Sequence, residues 1–329
     1  MNILVTGAAG FIGSHVAEAL LARGDAVAGL DNFNDYYDPA RKRANAALLA
    51  AAPRFTLHEV DIRDAETMER ICAEGRFDAV VHLAAMAGVR YSIERAPLYV
   101  DVNVRGTVNL LEGARKAGMP HFVFASTSSV YGRTDRLPFR EDDPLGRPLA
   151  PYPATKIAGE AMGYAYHNMF GLSFTAVRFF SVYGPRGRPD MMPYQITDSI
   201  VHEREFTLYD GGEMRRDWTY VADIAAGIVA AADRPLGYEV LNLGRGEPVR
   251  MRDFVELVEE LVGRKARMTT PPAPASEPPI TYADVSKART LLGYEPATPV
   301  AEGMRRFWEW YRENVECGMR NAESVMRNP

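Results

Sequence analysis

The feature that most constrains this chain lies at its start. The apolar run Asn2–Thr6 passes directly into Gly7-Ala8-Ala9-Gly10-Phe11-Ile12-Gly13, and a helical pattern over Ser14–Arg23 follows. Glycines between a strand and a helix permit a tight turn and let the backbone approach a bound group closely. The helix start beyond them offers unpaired N–H groups and the positive end of its dipole, a setting that favours a pyrophosphate. The spacing is GxxGxxG rather than GxGxxG. A second strand, Ala26–Leu30, ends at Asp31, eighteen residues beyond Gly13. A carboxylate there accepts from the ribose hydroxyls of an adenosine and repels a 2′-phosphate, which selects NAD over NADP. Taken singly, these features also read as an ordinary turn and a loop-starting acid. Asp61-Ile62, after a third strand, is placed to meet the adenine.

The strand–helix alternation continues. Strands are predicted at Phe55–Val60, Ala79–Leu83, Phe122–Ala125 and Phe174–Phe180, with helices at Ala65–Ala73, Leu98–Lys116 and Pro153–Met169. The strand runs are continuously apolar, which suits a parallel sheet covered on both faces by crossover helices. After residue 180 the rhythm breaks. Arg186–Pro193 is rich in Gly, Pro and charge, followed by a helix (Ile196–Glu203), a strand (Phe206–Tyr209) and mixed elements. Val240–Leu243 reads as one more buried strand, Phe254–Leu261 as a helix, and Pro271–Pro279, with five prolines, as an extended loop. Residues 1–180 are therefore expected to form a dinucleotide-binding domain, to which the strand near 240–243 returns. Residues 181–329 are expected to form a smaller domain. Trp308, Trp310 and Tyr311 share a helix that is expected to pack.

Composition excludes several classes. A net charge of −5 argues against a nucleic-acid coat. Two cysteines, Cys72 and Cys317, cannot form a disulfide framework or a thiolate zinc site and suit a reducing compartment. No eighteen-residue apolar run is present, and the first apolar run meets glycine by residue 7, so a cytoplasmic protein with no membrane span is expected.

Tyr152 and Lys156 stand four apart where a helix begins, so they share a face. With 16 tyrosines and five lysines in 329 residues, chance gives about 0.2 such pairs. A tyrosine is a poor base near neutrality, but a neighbouring ammonium stabilises its phenolate. Upstream, Ser126-Thr127-Ser128-Ser129 ends a strand in four hydroxyls. These residues either cap the chain or, at the carboxyl end of a parallel strand, bind a substrate.

With these pieces in place, the whole chain resembles the extended short-chain dehydrogenase/reductases. More narrowly, it resembles the nucleotide-sugar 4-epimerases that act on UDP-glucuronate. The general strings are the glycine turn, His82-Leu83-Ala84-Ala85, Asn103 and Tyr-x-x-x-Lys. The narrower ones are Asp31-Asn32-Phe33-Asn34-Asp35-Tyr36-Tyr37-Asp38, Ala87-Gly88-Val89-Arg90-Tyr91-Ser92-Ile93-Glu94, and Arg178-Phe179-Phe180-Ser181-Val182-Tyr183-Gly184-Pro185. Gly187-Arg188-Pro189-Asp190-Met191, Arg216-Asp217-Trp218-Thr219-Tyr220-Val221 and Thr281-Tyr282-Ala283-Asp284 complete the set. The resemblance implies an α/β fold with a Rossmann-type doubly wound parallel sheet and a smaller mixed α/β C-terminal substrate domain. It implies a resident NAD and a homodimer that pairs Leu98–Lys116 with Pro153–Met169 across a two-fold axis, with Val104, Val108, Leu111, Met162 and Tyr166 as exposed apolar candidates.

By the same resemblance Thr127, Tyr152 and Lys156 form the catalytic set. Gly7, Gly10, Phe11, Ile12, Gly13, Asp31, Asn32, Asp61 and Ile62 hold the adenosine and pyrophosphate of NAD. Leu83, Ala84, Ala85, Asn103 and Phe180, with Tyr152 and Lys156, hold its nicotinamide half. Arg216 binds a diphosphate, a task for which a guanidinium fork is suited. Arg90 and Tyr209 are further substrate candidates, with a surface ion pair and a core aromatic as alternatives. The hydroxyls of Thr127, Ser128, Ser129 and Ser181 are suited to hold a sugar carboxylate, and Arg188 either adds a charge for it or pins the glycine- and proline-rich loop. Met86 stands where a Gln is usual, Ser181 where Thr is commoner, Arg186 where Trp is frequent, and Ala275-Ser276-Glu277 where Pro-Gly-Asp is usual. The implied reaction is 4-epimerisation of a UDP-hexuronic acid. A neutral-sugar 4-epimerase, a UDP-glucuronate decarboxylase and a non-catalytic NAD-binding regulator are the competing readings.

Overall fold

The continuous apolar runs become strands buried on both faces. The computed structural model describes residues 1–145, 147–274 and 277–316; Cys317 and the pair Ala275-Ser276 lie outside the described residues. Six strands come from the first half of the chain: β1 (Asn2–Thr6), β2 (Ala26–Asp31), β3 (Phe55–Glu59), β4 (Ala79–His82), β5 (His121–Thr127) and β6 (Ser173–Phe179). Seven more follow: β7 (Ser181–Tyr183), β8 (Glu205–Thr207), β9 (Arg215–Tyr220), β10 (Tyr238–Leu243), β11 (Pro248–Arg250), β12 (Arg267–Thr269) and β13 (Ile280–Thr281). The main sheet has seven strands in the order β10-β6-β5-β4-β1-β2-β3, all parallel. A second sheet joins β7, β9, β11 and β13, and β12 pairs with β8.

The helices are α1 (Phe11–Ala22), α2 (Pro39–Ala50), α3 (Ala65–Gly75), α4 (Val89–Glu94), α5 (Ala96–Tyr99), α6 (Gly106–Lys116) and α7 (Pro151–Phe170). Beyond the sixth strand come α8 (Met192–Val201), α9 (Val221–Ala232), α10 (Met251–Val262), α11 (Ser286–Leu292) and α12 (Val300–Tyr311). One face of the main sheet packs Ile3, Val5, Val81 and Val177 against Val16 and Leu20 of α1 and Ile224 and Ile228 of α9. That core continues into Trp218, Phe254, Phe307 and Tyr311 of the second lobe. The other face packs Leu4, Val80, Phe122, Phe124 and Phe174 against Met68 and Ile71 of α3 and Leu110, Leu111 and Ala114 of α6.

The stretch Leu98–Lys116 is helical throughout, with a π-helical turn at Val100–Arg105 between α5 and α6. Of the five residues expected to be exposed, Met162 is, Val104, Val108 and Tyr166 are half-buried, and Leu111 is fully buried in the core where α6 meets α3. The helix α2 has no apolar pattern to read, because its buried face carries Lys42 and Asn45 beside Ala46 and Leu49. It starts on a cap in which the Asp38 carboxylate accepts from Ala40 N at 2.9 Å, with Pro39 in its first turn. Trp308 and Trp310 are partly buried against the core and Tyr311 is fully buried.

Candidate active site

The sheet order reverses between β1 and β4, whose next connections run to opposite sides. A crevice opens at such a point outside the carboxyl ends of parallel strands. The register pairs Thr6 with His82 and Thr127 with Phe179, so these ends finish level with one another. A cleft lies there, walled by the glycine turn, the end of β2, residues 83–85 and the start of α7.

At one end of the cleft, α1 begins at Gly10 with no side-chain cap and no acid in its first turn, so its N–H groups stay open to an anion. The turn is closed to side chains. A Cβ on Gly13 would lie 2.0 Å from the Gly7 carbonyl oxygen, and one on Gly7 would lie 2.8 Å from Ala84 N. Asp31 Oδ2 accepts from Ala9 N at 3.2 Å and Oδ1 from Phe33 N at 2.9 Å, tying the end of β2 to that turn. Burial raises the Asp31 pKa against these bonds and the nearby Lys42 charge. Asn32 Nδ2 donates to Asp61 Oδ2 at 2.8 Å. Burial acts to raise the Asp61 pKa, but the Arg63 guanidinium at 2.8 Å and Asn32 hold it at about 2. Gly7, Gly10, Phe11, Ile12, Gly13, Asp31, Asn32, Asp61 and Ile62 all line the cleft.

Leu83, Ala84 and Ala85 line the middle. Asn103 is buried behind them and positions the loop: its side-chain oxygen accepts from Met86 N at 2.8 Å, and its Nδ2 donates to Met86 O at 2.9 Å. A directed chain of bonds reaches it from β1. Ala84 N donates to Thr6 Oγ1. Thr107 Oγ1 donates to Asn103 O, so it accepts from His82 Nε2, and His82 Nδ1 is left to accept from Thr6 Oγ1. Burial first, and the Lys156 charge second, push the His82 pKa down to about 3, so the ring stays neutral. Phe180 lies in the core beside Phe139, and it is Phe179 that reaches the cleft wall.

Tyr152 and Lys156 enter from the first turns of α7. Gly159 and Gly163 let this helix settle on the sheet; added Cβ atoms would lie 2.3 and 2.2 Å from the Phe124 and Phe174 rings. Tyr152 lines the cleft. Burial raises its pKa, while the Arg188 charge and a hydrogen bond from Thr127 act to lower it. Lys156 is buried with its Nζ 4.8 Å from the Phe124 ring centroid. Burial pushes its pKa down to about 7 against the pull of Glu160.

Sequence reasoning missed what lies behind this pair. Glu160, one turn beyond Lys156, is buried and receives Arg178 Nε at 2.9 Å and Nη2 at 2.7 Å, together with a bond from Ser126 Oγ. Its spacing of four from Lys156 was a readable signal. The Arg178 partner, on β6, was not. Also missed were Asn34, Tyr36, Tyr37, Lys42 and Val102 of the cleft wall.

Of the remaining predicted residues, Arg188 alone lines the cleft. Thr127 Oγ1 accepts from Ser129 N at 3.2 Å, and Ser128 and Ser129 form a half-buried turn outside the cleft lining. Ser181 is half-buried at the start of β7. Arg188 lines the cleft and forms a fork with Asp190, at 2.9 and 2.7 Å. Arg90 and Arg216 meet on one carboxylate, Glu277, each at 3.0 Å, with Arg90 stacked 5.4 Å from the Tyr209 ring centroid. This cluster stands apart from the cleft lining. Arg186 faces away, bonded to His15 and Glu18. Among the described residues, no group of three or more His, Cys, Asp and Glu is placed to hold a metal, and no helix is long and apolar enough to cross a membrane.

The model of the NAD dependent epimerase/dehydratase family matches residues 3–244. A UDP-glucuronate 4-epimerase of Thermodesulfobacterium geofontis is 42% identical over 314 residues, covering 95% of this chain and 97% of that protein. The crystal structure of UDP-glucuronic acid 4-epimerase from Bacillus cereus, in complex with UDP-glucuronic acid and NAD, superposes with a TM-score of 0.89 at 35% identity, over 95% of this chain and 99% of that one. A Thermus thermophilus UDP-glucose 4-epimerase in complex with NAD superposes with a TM-score of 0.86 at 33% identity, over 96% and 100% of the two chains.

Proposed function

This chain belongs to the NAD dependent epimerase/dehydratase family, and we propose that within it the chain interconverts UDP-glucuronate and UDP-galacturonate by inverting C4. The observation that carries this reading is one continuous cleft wall that runs from an open helix start and Asp31 to Tyr152, Lys156 and Arg188. The residues fit NAD: an uncapped helix start free of acids, a turn with no room for a Cβ, and a buried carboxylate at the end of β2. When bound, NAD accepts the sugar's C4 hydride and returns it, so no second redox substrate is needed.

The chain's own groups do the rest. Tyr152 takes the proton of the 4-hydroxyl, with the Arg188 charge favouring the phenolate and Thr127 donating to its oxygen, and with Lys156 adding its charge when protonated. Lys156 and Asn103 shape the nicotinamide end, one by charge and the other by fixing the loop at Met86. Arg216 and Arg90 serve the diphosphate, and exchange Glu277 for it. Oxidation at C4 makes a β-keto acid, which loses CO₂ fastest when its carboxylate stands perpendicular to the carbonyl plane. Arg188 and the hydroxyls of Thr127, Ser128, Ser129 and Ser181 restrain that group. We assign nucleotide-sugar binding to residues 181–329, although β10 completes the sheet of the first lobe. We further propose that the enzyme is cytoplasmic and a homodimer paired through α6 and α7.

The deciding experiment is NMR of purified protein with UDP-glucuronate and no added cofactor. UDP-galacturonate is the expected product. Turnover of UDP-glucose at a comparable rate promotes the neutral-sugar alternative, and a UDP-pentose as the main product promotes the decarboxylase.

A further inference from the structure

The segment after Asp31 carries two tyrosines that the reaction above does not use. Tyr36 reaches across the cleft mouth, where its hydroxyl donates to Asp190 Oδ2 at 3.0 Å over a separation of 154 residues. Asp190 in turn holds Arg188: Oδ1 accepts from Nε at 2.9 Å and Oδ2 from Nη2 at 2.7 Å. The Nε–Nη2 edge is thus occupied from within the chain, and Nη2 also donates to Met191 Sδ at 3.6 Å, so neither forked edge is open to a carboxylate. Arg188 Nη1 takes no part in that fork, and the residue lines the cleft beside Tyr152.

We propose that Tyr36 and Asp190 are positioning residues that close the forked edge of Arg188 and leave a single nitrogen for the sugar carboxylate. This rests on the uronate reading above and adds how the site binds the carboxylate without clamping it. A 4-epimerase must present both faces of one sugar to the same hydride position, so the ring must turn while it stays bound. A forked contact fixes direction as well as distance. A contact through one nitrogen holds the carboxylate at its distance while the ring turns, and leaves its orientation to the hydroxyls of Thr127, Ser128, Ser129 and Ser181.

The arrangement is rigid where it needs to be. The Tyr36 ring stands edge-on to Tyr91 at 4.8 Å between centroids and lies 5.6 Å from the Arg188 guanidinium carbon. Its backbone N donates to Asn34 Oδ1 at 3.2 Å, and Lys42 Nζ donates to Asn34 O and Oδ1 at 2.9 and 2.7 Å. A Cβ on Gly88 would lie 2.6 Å from the Tyr36 hydroxyl, so the glycine makes room for it. Burial and the Asp190 charge, against the pull of Arg188, push the Tyr36 pKa up to about 12, which keeps the hydroxyl a donor.

The test is steady-state kinetics of wild type, Tyr36→Phe and Asp190→Asn with UDP-glucuronate, alongside the inhibition constant of UDP, which has no carboxylate. Asp190→Asn exposes the forked edge, so KM is expected to fall about threefold and kcat about tenfold, with UDP inhibition unchanged. Tyr36→Phe, which only loosens Asp190, should move both in the same directions by less. Wild-type protein that binds UDP-glucuronate no more tightly than UDP overturns the uronate reading itself. With that preference present, Asp190→Asn at wild-type kcat, or a lower kcat with a higher KM and weaker UDP inhibition, overturns the positioning role of Tyr36 and Asp190.

Discussion

Replacing Lys156 by Met should make the protein more stable and inactive at once. The Lys156 side chain is 3% exposed, and burial moves its pKa from 10.5 to about 7 despite the opposing Glu160 charge. That displacement corresponds to roughly 5 kcal/mol against the ammonium in the folded state. An unfolded lysine keeps its proton up to about pH 10.5, so between about pH 7 and 10.5 the unfolded chain holds the extra proton and stability rises with pH. Below pH 7 the whole cost is present. Met keeps most of the apolar stem but loses the cation contact with Phe124 at 4.8 Å, which is worth roughly 2 kcal/mol when desolvated. The net gain is therefore about 3 kcal/mol near pH 6. For 329 residues the unfolding entropy is roughly 0.7 kcal/mol/K, so Tm should rise by about 4 °C. Scanning calorimetry of dinucleotide-free protein between about pH 6 and pH 10 reads the effect directly. The gap should be widest at the acid end and shrink as pH rises. His82 is neutral in the folded state with a pKa near 3, and its unfolded-state titration near pH 6.5 is the same in both proteins, so it does not alter the gap. A Met variant that melts at or below wild type near pH 6, or a gap that does not change with pH, refutes the reasoning.

The other expectations are simpler. Tyr152→Phe removes one hydroxyl and little volume, so turnover should drop by several orders of magnitude while the dinucleotide released on denaturation stays at wild-type amounts; wild-type turnover contradicts the assignment. Glu160→Gln leaves the buried Arg178 without a counter-charge, at a cost of roughly 3–5 kcal/mol. Tm should then fall by about 4–7 °C, and an unchanged melting curve would show the pair to be dispensable. Exposed Met162, Met169 and Phe170 on α7 should be covered by a second copy. Light scattering should show a dimer at micromolar concentration that Met162→Glu weakens, and a wild-type monomer would remove the proposed interface.

Much of the fold was legible because its signals are local. A strand buried on both faces needs a continuous apolar run, and β1 begins and ends where the pattern does. The glycine turn and the Tyr152–Lys156 pair are likewise fixed by spacing along one turn or one helix. What stayed hidden depends on neighbours far apart in the chain. Leu111 looks like its less buried counterparts until α3 is seen against it. Phe179 and Phe180 are interchangeable on paper, yet strand alternation sends the first to the cleft and the second to the core. Arg178 and Glu160 lie 18 residues apart on a strand and a helix, and only the β6–α7 packing makes them a buried pair. Asp190 was visible within its string, but not that it would take the better edge of Arg188.

A ribosome delivers this chain from its N-terminus, and the main sheet cannot close in that order. Strand β6 emerges with apolar side chains on both faces and one hydrogen-bonding edge bare. Its partner on that edge, β10, follows only after β7, β8, β9 and α9 have been made. At ordinary elongation rates roughly 60 residues take about 3–12 s. For that interval the nascent domain carries an open border of the kind that pairs with other chains. Yield on overexpression is then a race between elongation and mispairing at the edge of β6. Slower initiation or a chaperone that covers this edge should raise the soluble fraction without changing a single contact of the finished enzyme.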